Sequence, residues 1–141
     1  MTTPSQTVGP FFALGMPDIA GSGTLTVTGR IFDGAGDPVT DALVEAWQDD
    51  PPSFARCATD ATGRWTVRCH RPSPYVDLSV FGRGLLDRVV TRLYAFDDPA
   101  DPVLAALDPD RRRSLIAERT DDGYALDIHL QGPHETVFFR L

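Results

Sequence analysis

Histidine and tyrosine are the side chains of this chain best suited to binding a transition metal, and the sequence contains three of each. They are His70, His129, His134, Tyr75, Tyr94 and Tyr124. Imidazole nitrogens and anionic oxygens are common metal ligands, but a metal site needs several of them to converge on one point. The six residues show no spacing that would bring four ligands together. The sequence therefore argues against a metal enzyme that works alone.

Two cysteines, Cys57 and Cys69, are a second source of possible chemistry. They flank the sequence DATG at residues 60–63, which is typical of a tight turn. A tight turn at this place brings Cys57 close to Thr66 and not to Cys69, so a disulfide between the two cysteines is not favoured. We expect two reduced thiols, as in most cytosolic proteins.

Short apolar runs that alternate at a period of two fill most of the chain and predict half-buried strands. Ala42, Val44 and Ala46 form one such run, and twelve glycines and twelve prolines separate the runs. Strands divided by turns about every ten residues are typical of an antiparallel sandwich. We predict an all-β protein, an antiparallel β-sandwich of about eight strands. We expect Trp47 and Trp65 to be core residues.

Two segments depart from the strand pattern. Asp108 followed by proline is a good helix start, with the aspartate as N-cap and the proline in the first turn. We therefore predict one short helix from Pro109 to Ala117. Residues 1–22 are dominated by Pro, Gly and Ser and predict an N-terminal arm, anchored by the pair of phenylalanines at positions 11 and 12. Residues 23–141 are predicted to form the single β-sandwich domain.

The charge of the chain limits its classes of partner. The formal net charge is -7 and the isoelectric point is about 4.7. A negative protein repels phosphate backbones and anionic lipid, so we expect neither nucleic acid nor a membrane as a partner. No run approaches the ~18 apolar residues of a membrane span. The first residues have no basic region and no long apolar run, as a signal peptide would. We therefore expect a cytoplasmic protein.

Five segments of the chain together match a known family. They are TPSQTVGPFF at residues 3–12, GRIFDG and ALVEAWQ within residues 29–48, the turn region 60–67, SVFGRG and TRLYAFDD within residues 78–98, and QGPHETVFF at residues 131–139. Many β-sandwiches share the second and third segments, but the other three are more specific. On these residues the chain resembles the intradiol ring-cleavage dioxygenases. The TPSQTxGP arm and the Phe-x-Arg-Gly step resemble the alpha chains of that family.

The resemblance implies that the iron site of the family is missing here. Its catalytic chains hold Fe(III) between two tyrosinates and two histidines, ligands that suit a hard ferric ion. The histidines form a His-x-His pair just before the Ser-x-Phe-Gly segment, where this chain has Tyr75 and Asp77. The first tyrosine is also missing, because the segment after Gln48 is short. We expect no catalytic or metal-binding residue in this chain, and Fe(III) held by a partner beta subunit.

The resemblance also implies a pocket that this chain shares with the beta subunit. In the family, the Thr-x-Gly-Pro arm and the arginine of Phe-x-Arg-Gly approach that pocket. The matching residues here are Thr7, Gly9, Pro10 and Arg83. The implied substrate is a catechol acid such as protocatechuate, whose carboxylate a guanidinium can bind. Gly9 permits close backbone approach, and Pro10 stiffens the arm.

Two other functions fit parts of the sequence. The Asp-Gly, Pro-Val and Ala-x-Val pattern within residues 33–44 is common in β-sandwich binding and adhesion modules. The arm, the SVFGRG segment and the absence of a secretion signal favour the dioxygenase subunit over such a module. A metal enzyme acting alone lacks a ligand set. The chain also departs from the family, whose alpha chains are longer before Gly23 and after Gln48 and have a tyrosine at the position of Phe11.

Overall fold

The polypeptide forms two packed β-sheets and two short helices in a computed structural model that describes residues 2–140. The strands are β1 (Leu25–Phe32), β2 (Leu43–Asp49), β3 (Pro52–Ala58), β4 (Arg64–Cys69), β5 (Tyr75–Phe81), β6 (Val89–Tyr94), β7 (Glu118–Arg119), β8 (Gly123–Ala125) and β9 (Ile128–His129). The helices are α1 (Pro102–Ala105) and α2 (Pro109–Arg113). Neither helix within residues 2–140 is long and apolar enough to cross a bilayer.

The order of the strands confirms the predicted sandwich. One sheet runs β4-β1-β8-β7, with β9 also on β1, and the other runs β3-β2-β5-β6. Most neighbours are antiparallel, but β8 and β9 pair with β1 in parallel. The alternation of residues 124–130 predicts one strand there, and the structure divides it in two. At the break, the Asp127 carboxylate accepts the hydrogen bond of the Arg30 N–H at 2.8 Å, in place of a backbone carbonyl.

The apolar faces of the two sheets meet in one core. Residues of β4 are alternately exposed and buried, so Trp65, Val67 and Cys69 point inward, as predicted for Trp65. The other large side chains with no exposed surface in this core are Val27, Ile31, Val44, Val76, Leu78, Val80, Leu93 and Ile128. Burying an apolar side chain of this size contributes roughly 1.5–3 kcal/mol relative to leaving it exposed. Packing in this core is therefore the main interaction that holds the two sheets together.

The turn at residues 60–63 carries the chain from one sheet to the other. The Asp60 carboxylate accepts hydrogen bonds from two backbone N–H groups, at 2.7 and 3.0 Å. Gly63 has a φ of 73°, which residues with a side chain rarely adopt. β3 and β4 lie in different sheets, and the Cys57 thiol still reaches the backbone of Thr66, as predicted. Both cysteines are free.

Helix α2 begins at Pro109 as predicted but ends at Arg113, four residues earlier than expected. The backbone after the helix pairs with the last residue of β6 instead of continuing the helical hydrogen bonds. The Tyr94 N–H donates to the Leu115 carbonyl, and the Tyr94 carbonyl accepts from the Ala117 N–H, both at 2.9 Å. Pairing with the sheet therefore outweighs the helical preference of this segment.

Helix α1 is absent from the sequence prediction. Its N-cap is Asp101, whose carboxylate accepts hydrogen bonds from the N–H groups of Val103 (2.8 Å) and Leu104 (3.0 Å). The Asp-Pro pair that begins α1 is the signal that predicts α2. Asp108 stands at the N-cap position of α2 but makes no capping bond with its side chain. The same dipeptide signal therefore indicates both helices.

A second apolar cluster covers the outer face of β5 and β6, on the side away from the core. It consists of buried Tyr94, Leu104, Leu115 and Val137, with Tyr75, Leu107, Ile116 and Phe139 packed against them. The C-terminal segment reaches this face because the Phe139 N–H donates to the Val90 carbonyl at 2.8 Å.

Candidate functional site

The N-terminal arm is attached to the sandwich at several places. Ile19 pairs with Arg56 of β3 through backbone hydrogen bonds of 2.8 Å in both directions. Farther towards the N-terminus, the Thr7 hydroxyl accepts a hydrogen bond from the Gly84 N–H at 3.0 Å. The arm therefore lies against the loop after β5, residues 82–88. The Thr-x-Gly-Pro and Phe-x-Arg-Gly segments, which the sequence assigns to one pocket, are neighbours in the structure.

A groove of about 650 Å³ lies between the arm and this loop. Its walls are formed by Gln6, Val8, Phe81, Gly82, Leu85, Leu86, Asp87, Arg88, Phe139 and Arg140. Ligand pockets commonly have volumes of roughly 300–1,000 Å³ and combine apolar walls with a few polar groups. Thr7 lies between two wall residues and Arg83 follows another, but neither belongs to the walls. The volume of the groove is within the range of ligand pockets.

Arg83 lies on the surface beside the groove. Its Nε atom is 3.3 Å from the Asp41 carboxylate, and 66% of its side chain is exposed. An exposed ion pair of this kind contributes about 0–1 kcal/mol to stability. The guanidinium therefore remains accessible to a ligand or a partner chain, and its role in a pocket stays a prediction.

The segment around Gly9 and Pro10 makes few contacts within this chain. A Cβ atom added to Gly9 would meet no heavy atom within 4 Å, so the close approach predicted for Gly9 does not occur inside the chain. Phe11 and Leu14 are 75% and 84% exposed. Of the predicted phenylalanine anchor, Phe11 is therefore exposed, while Phe12 is partly buried. Backbone pairing of Ile19 and the bond between Thr7 and Gly84 also attach the arm.

Tyr75 and Asp77, which we predict to stand in place of the His-x-His pair, lie on the outer face of β5. The Arg92 guanidinium of β6 lies over the Tyr75 ring, 3.9 Å from its centroid, and over the Phe139 ring at 5.1 Å. The Nε atom of Arg92 donates to the Asp77 carboxylate at 3.1 Å. A fixed positive charge therefore occupies this face.

These residues do not fit a ferric ion. Burial lowers the pKa of Arg92, but its interactions with Tyr94 and Asp77 outweigh burial and raise the pKa above its usual value. The guanidinium therefore stays a cation beside these positions. The carboxylate of Asp77 is already paired. No step of a reaction can be assigned to iron on this face.

The histidines of the chain give no alternative metal centre. The rings of His129 and His134 lie 6.1 Å apart, and His70 is hydrogen-bonded to the Ser22 hydroxyl at 3.2 Å in another part of the fold. Within the described residues 2–140, no three His, Cys, Asp or Glu side chains are arranged to hold a metal ion.

Trp47 is an exposed residue on the same outer face, contrary to the prediction that it belongs to the core. Half of its surface is accessible, and its ring packs against Phe54 at a centroid distance of 4.4 Å. In the alternation of β2, Trp47 shares a face with Glu45, while Val44 and Ala46 point into the core. The alternation of β2 places Trp47 on the outer face, and this pattern is a better guide to its position than the large size of its ring.

Relatives with known names share nearly the whole chain. The protocatechuate 3,4-dioxygenase alpha chains of Burkholderia cepacia and Pseudomonas putida are 37% and 35% identical, each covering 97% of this chain and 96% and 95% of the relative. The beta chain from Burkholderia cepacia is 32% identical over 82% of this chain and 68% of its own length. The alignment with the first relative has 191 positions for a chain of 141 residues, so the relative contains segments that are absent here.

Solved structures support the same fold. The dioxygenase domain of a carbohydrate-binding fusion from Streptomyces sp. SirexAA-E is 24% identical with a TM-score of 0.56, covering 79% of this chain and 82% of that one. The 3-chlorocatechol 1,2-dioxygenase from Rhodococcus opacus 1CP is 18% identical with a TM-score of 0.54, covering 90% and 70%. No family model matches the chain. The relatives named here are dioxygenase chains, so the binding-module alternative has no support. The chain belongs to the protocatechuate 3,4-dioxygenase alpha chain family of intradiol dioxygenases.

Proposed function

We propose that this chain is the non-catalytic alpha subunit of a protocatechuate 3,4-dioxygenase. In this role it walls the active-site pocket and supports assembly with a beta subunit. The beta subunit holds Fe(III) and performs the intradiol cleavage of 3,4-dihydroxybenzoate to 3-carboxy-cis,cis-muconate. The similarity to alpha chains over nearly the whole chain carries this proposal. A cytoplasmic location stays a prediction.

The contacts around Tyr75 and Asp77 support a non-catalytic role. Both side chains are engaged by Arg92, which is a permanent cation at physiological pH. A ferric ion would have to displace this guanidinium or lie beside it, and like charges at such distances repel strongly. The metal of the enzyme is therefore assigned to the partner.

The arm and the loop after β5 support a role at a shared pocket. Thr7 joins the two through its bond with the Gly84 N–H, and the side chain of Arg83 is free to turn towards a carboxylate. In the proposed complex, Arg83 binds the substrate carboxylate or strengthens the local positive potential. Gly9 and Pro10 present exposed backbone to the beta subunit. These four assignments are part of the proposal.

The decisive experiment measures iron content and protocatechuate-dependent oxygen uptake. Two samples are compared: this chain purified alone, and this chain co-expressed with a beta subunit from the same organism. We expect the lone chain to contain no iron and to be inactive, and the complex to be coloured and active. Iron and turnover in the lone chain would contradict the proposal, as would a failure of the two chains to associate.

A further inference from the structure

The outer faces of β5 and β6 place Arg92 directly opposite Asp77. The register pairs Asp77 with Arg92 and Tyr75 with Tyr94. Because side chains two residues apart lie on the same face of a strand, all four point away from the core. Any metal ligand at position 75 or 77 would therefore share its surroundings with the Arg92 guanidinium.

Three side chains hold this guanidinium in place. It stacks on the Tyr75 ring at 3.9 Å and packs near the Phe139 ring at 5.1 Å, while Asp77 accepts a hydrogen bond from Nε at 3.1 Å. Only 25% of the Arg92 side chain is exposed. Stacking on an aromatic face and pairing with a carboxylate both favour a planar cation.

We propose that Arg92 is an internal cation that takes the place of a metal ion on this face. The inference rests on the proposed function only for the statement that positions 75 and 77 correspond to metal ligands of the catalytic chains. It adds that the loss of two histidines is not the whole reason why the face cannot bind metal. The guanidinium satisfies Asp77, covers the ring at position 75 and repels a second cation.

This proposal makes a specific claim about restoring the histidine pair. Two histidines at i and i+2 on one strand face can chelate Ni²⁺, because both imidazoles point to the same side. With Arg92 in place, Tyr75→His with Asp77→His should give a poor chelate. A neutral residue at position 92 should release the latent site.

The test is titration of the tag-free lone chain with Ni²⁺ by isothermal calorimetry. The double variant Tyr75→His/Asp77→His is compared with two triple variants that add Arg92→Gln or Arg92→Met. The methionine keeps an apolar stem over the rings. The matched control is Arg64→His/Thr66→His with Arg30→Gln, a pair with the same spacing on the exposed face of β4; Arg30 is replaced because it lies opposite Arg64 and is itself a nearby guanidinium. The wild-type chain gives the background from the native histidines.

We expect the triple variants to bind Ni²⁺ at least about tenfold more tightly than the double variant, because removing a nearby positive charge removes its repulsion of the metal. Their affinity should approach that of the β4 control. Circular dichroism identifies which triple variants are folded. The double variant keeps the inference testable if neither triple variant folds, because Ni²⁺ binding as tight as that of the β4 control would overturn it.

A folded triple variant with no gain over the double variant would also overturn the inference. These results do not depend on the beta subunit. If the chain assembles with the beta subunit but the triple variants bind Ni²⁺ no better than the double variant, only the role of Arg92 is wrong. If the triple variants bind Ni²⁺ more tightly but the chain does not assemble with the beta subunit, only the proposed function is wrong.

Discussion

The arm with its loop and the face around Arg92 differ in how many contacts their side chains make within the chain. In the first region, Thr7 and Ser5 bind the loop through surface hydrogen bonds of 3.0 and 3.5 Å, and large apolar side chains are exposed. In the second, one guanidinium contacts three side chains beside a buried apolar cluster. The chain closes the face that we predict to correspond to the metal site of the catalytic chains, and leaves open the region that we assign to a partner.

The two regions should differ most in the stability that is lost when an apolar side chain is truncated. Leu115 has no exposed surface in the second cluster, so we expect Leu115→Ala to lower the free energy of unfolding by about 2–5 kcal/mol. Leu14 in the arm is 84% exposed, and Leu14→Ala should change it by less than about 0.5 kcal/mol. Urea denaturation of both variants measures the contrast. Equal losses would mean that the arm is as firmly packed as the cluster.

Arg92→Gln should give the next largest effect. It removes two aromatic contacts and a partly exposed ion pair, so we expect a loss of about 1–2 kcal/mol in the free energy of unfolding. The matched control is Arg113→Gln, since Arg113 pairs with Asp110 but is 77% exposed. The control should change stability by less than about 0.5 kcal/mol. Equal losses of stability in the two variants would mean that Arg92 contributes no more than an exposed surface arginine.

Arg83→Ala should separate function from stability. We expect kcat/KM for protocatechuate in the alpha–beta complex to fall about tenfold, because a charge-assisted bond to the substrate carboxylate is lost. Iron content of the complex and stability of the lone chain should not change. Arg113→Ala, another exposed arginine with one carboxylate partner, serves as the control. Unchanged oxygen-uptake kinetics for Arg83→Ala would exclude this residue from the pocket.

The smallest effect concerns stability at alkaline pH. Burial raises the pKa of Tyr94, and the interaction with Arg92 offsets this only in part. A group with a raised pKa in the folded state stabilises it fully below the unfolded pKa, about 10 for tyrosine, and this stability is lost as pH rises through the folded pKa. From about pH 9 to 11, wild-type stability should therefore fall more steeply than that of Tyr94→Phe, by less than about 1 kcal/mol.

Two features make this pH measurement clear. The chain contains no lysine, so the side chains that titrate in this range are tyrosines and cysteines. Tyr124→Phe removes a phenol from the other sheet and is the matched control. Parallel stability curves for wild type and Tyr94→Phe would contradict the role assigned to burial.

The sequence predicts the sandwich because period-two alternation depends only on local neighbours. It also places Trp65 correctly, since Trp65 alternates with Val67 and Cys69. The end of α2 could not be predicted in the same way, because it depends on pairing between Leu115 and Tyr94, which lie 21 residues apart in the sequence. Local patterns therefore predict strands better than they predict where a helix stops.

Some residues of the candidate site can be identified from local sequence motifs, and others only from contacts in the folded chain. Family motifs point to Tyr75, Asp77 and Arg83, and the first two share the outer face of β5. Arg92 belongs to the same matched segment, but its role becomes visible only from the register of β5 and β6. The contact between Thr7 and Gly84 joins residues 77 positions apart. Neither contact leaves a signal in a single sequence.

The exposure of Trp47 gives the chain a built-in optical reporter. The only other tryptophan, Trp65, is fully buried in the core. Trp47 is paired in register with Asp77 on the outer face. A partner chain that covers this face would shift the fluorescence emission of Trp47 to shorter wavelength and leave that of Trp65 unchanged. Unfolding would shift both to longer wavelength, so one spectrum can distinguish assembly from loss of structure without any label.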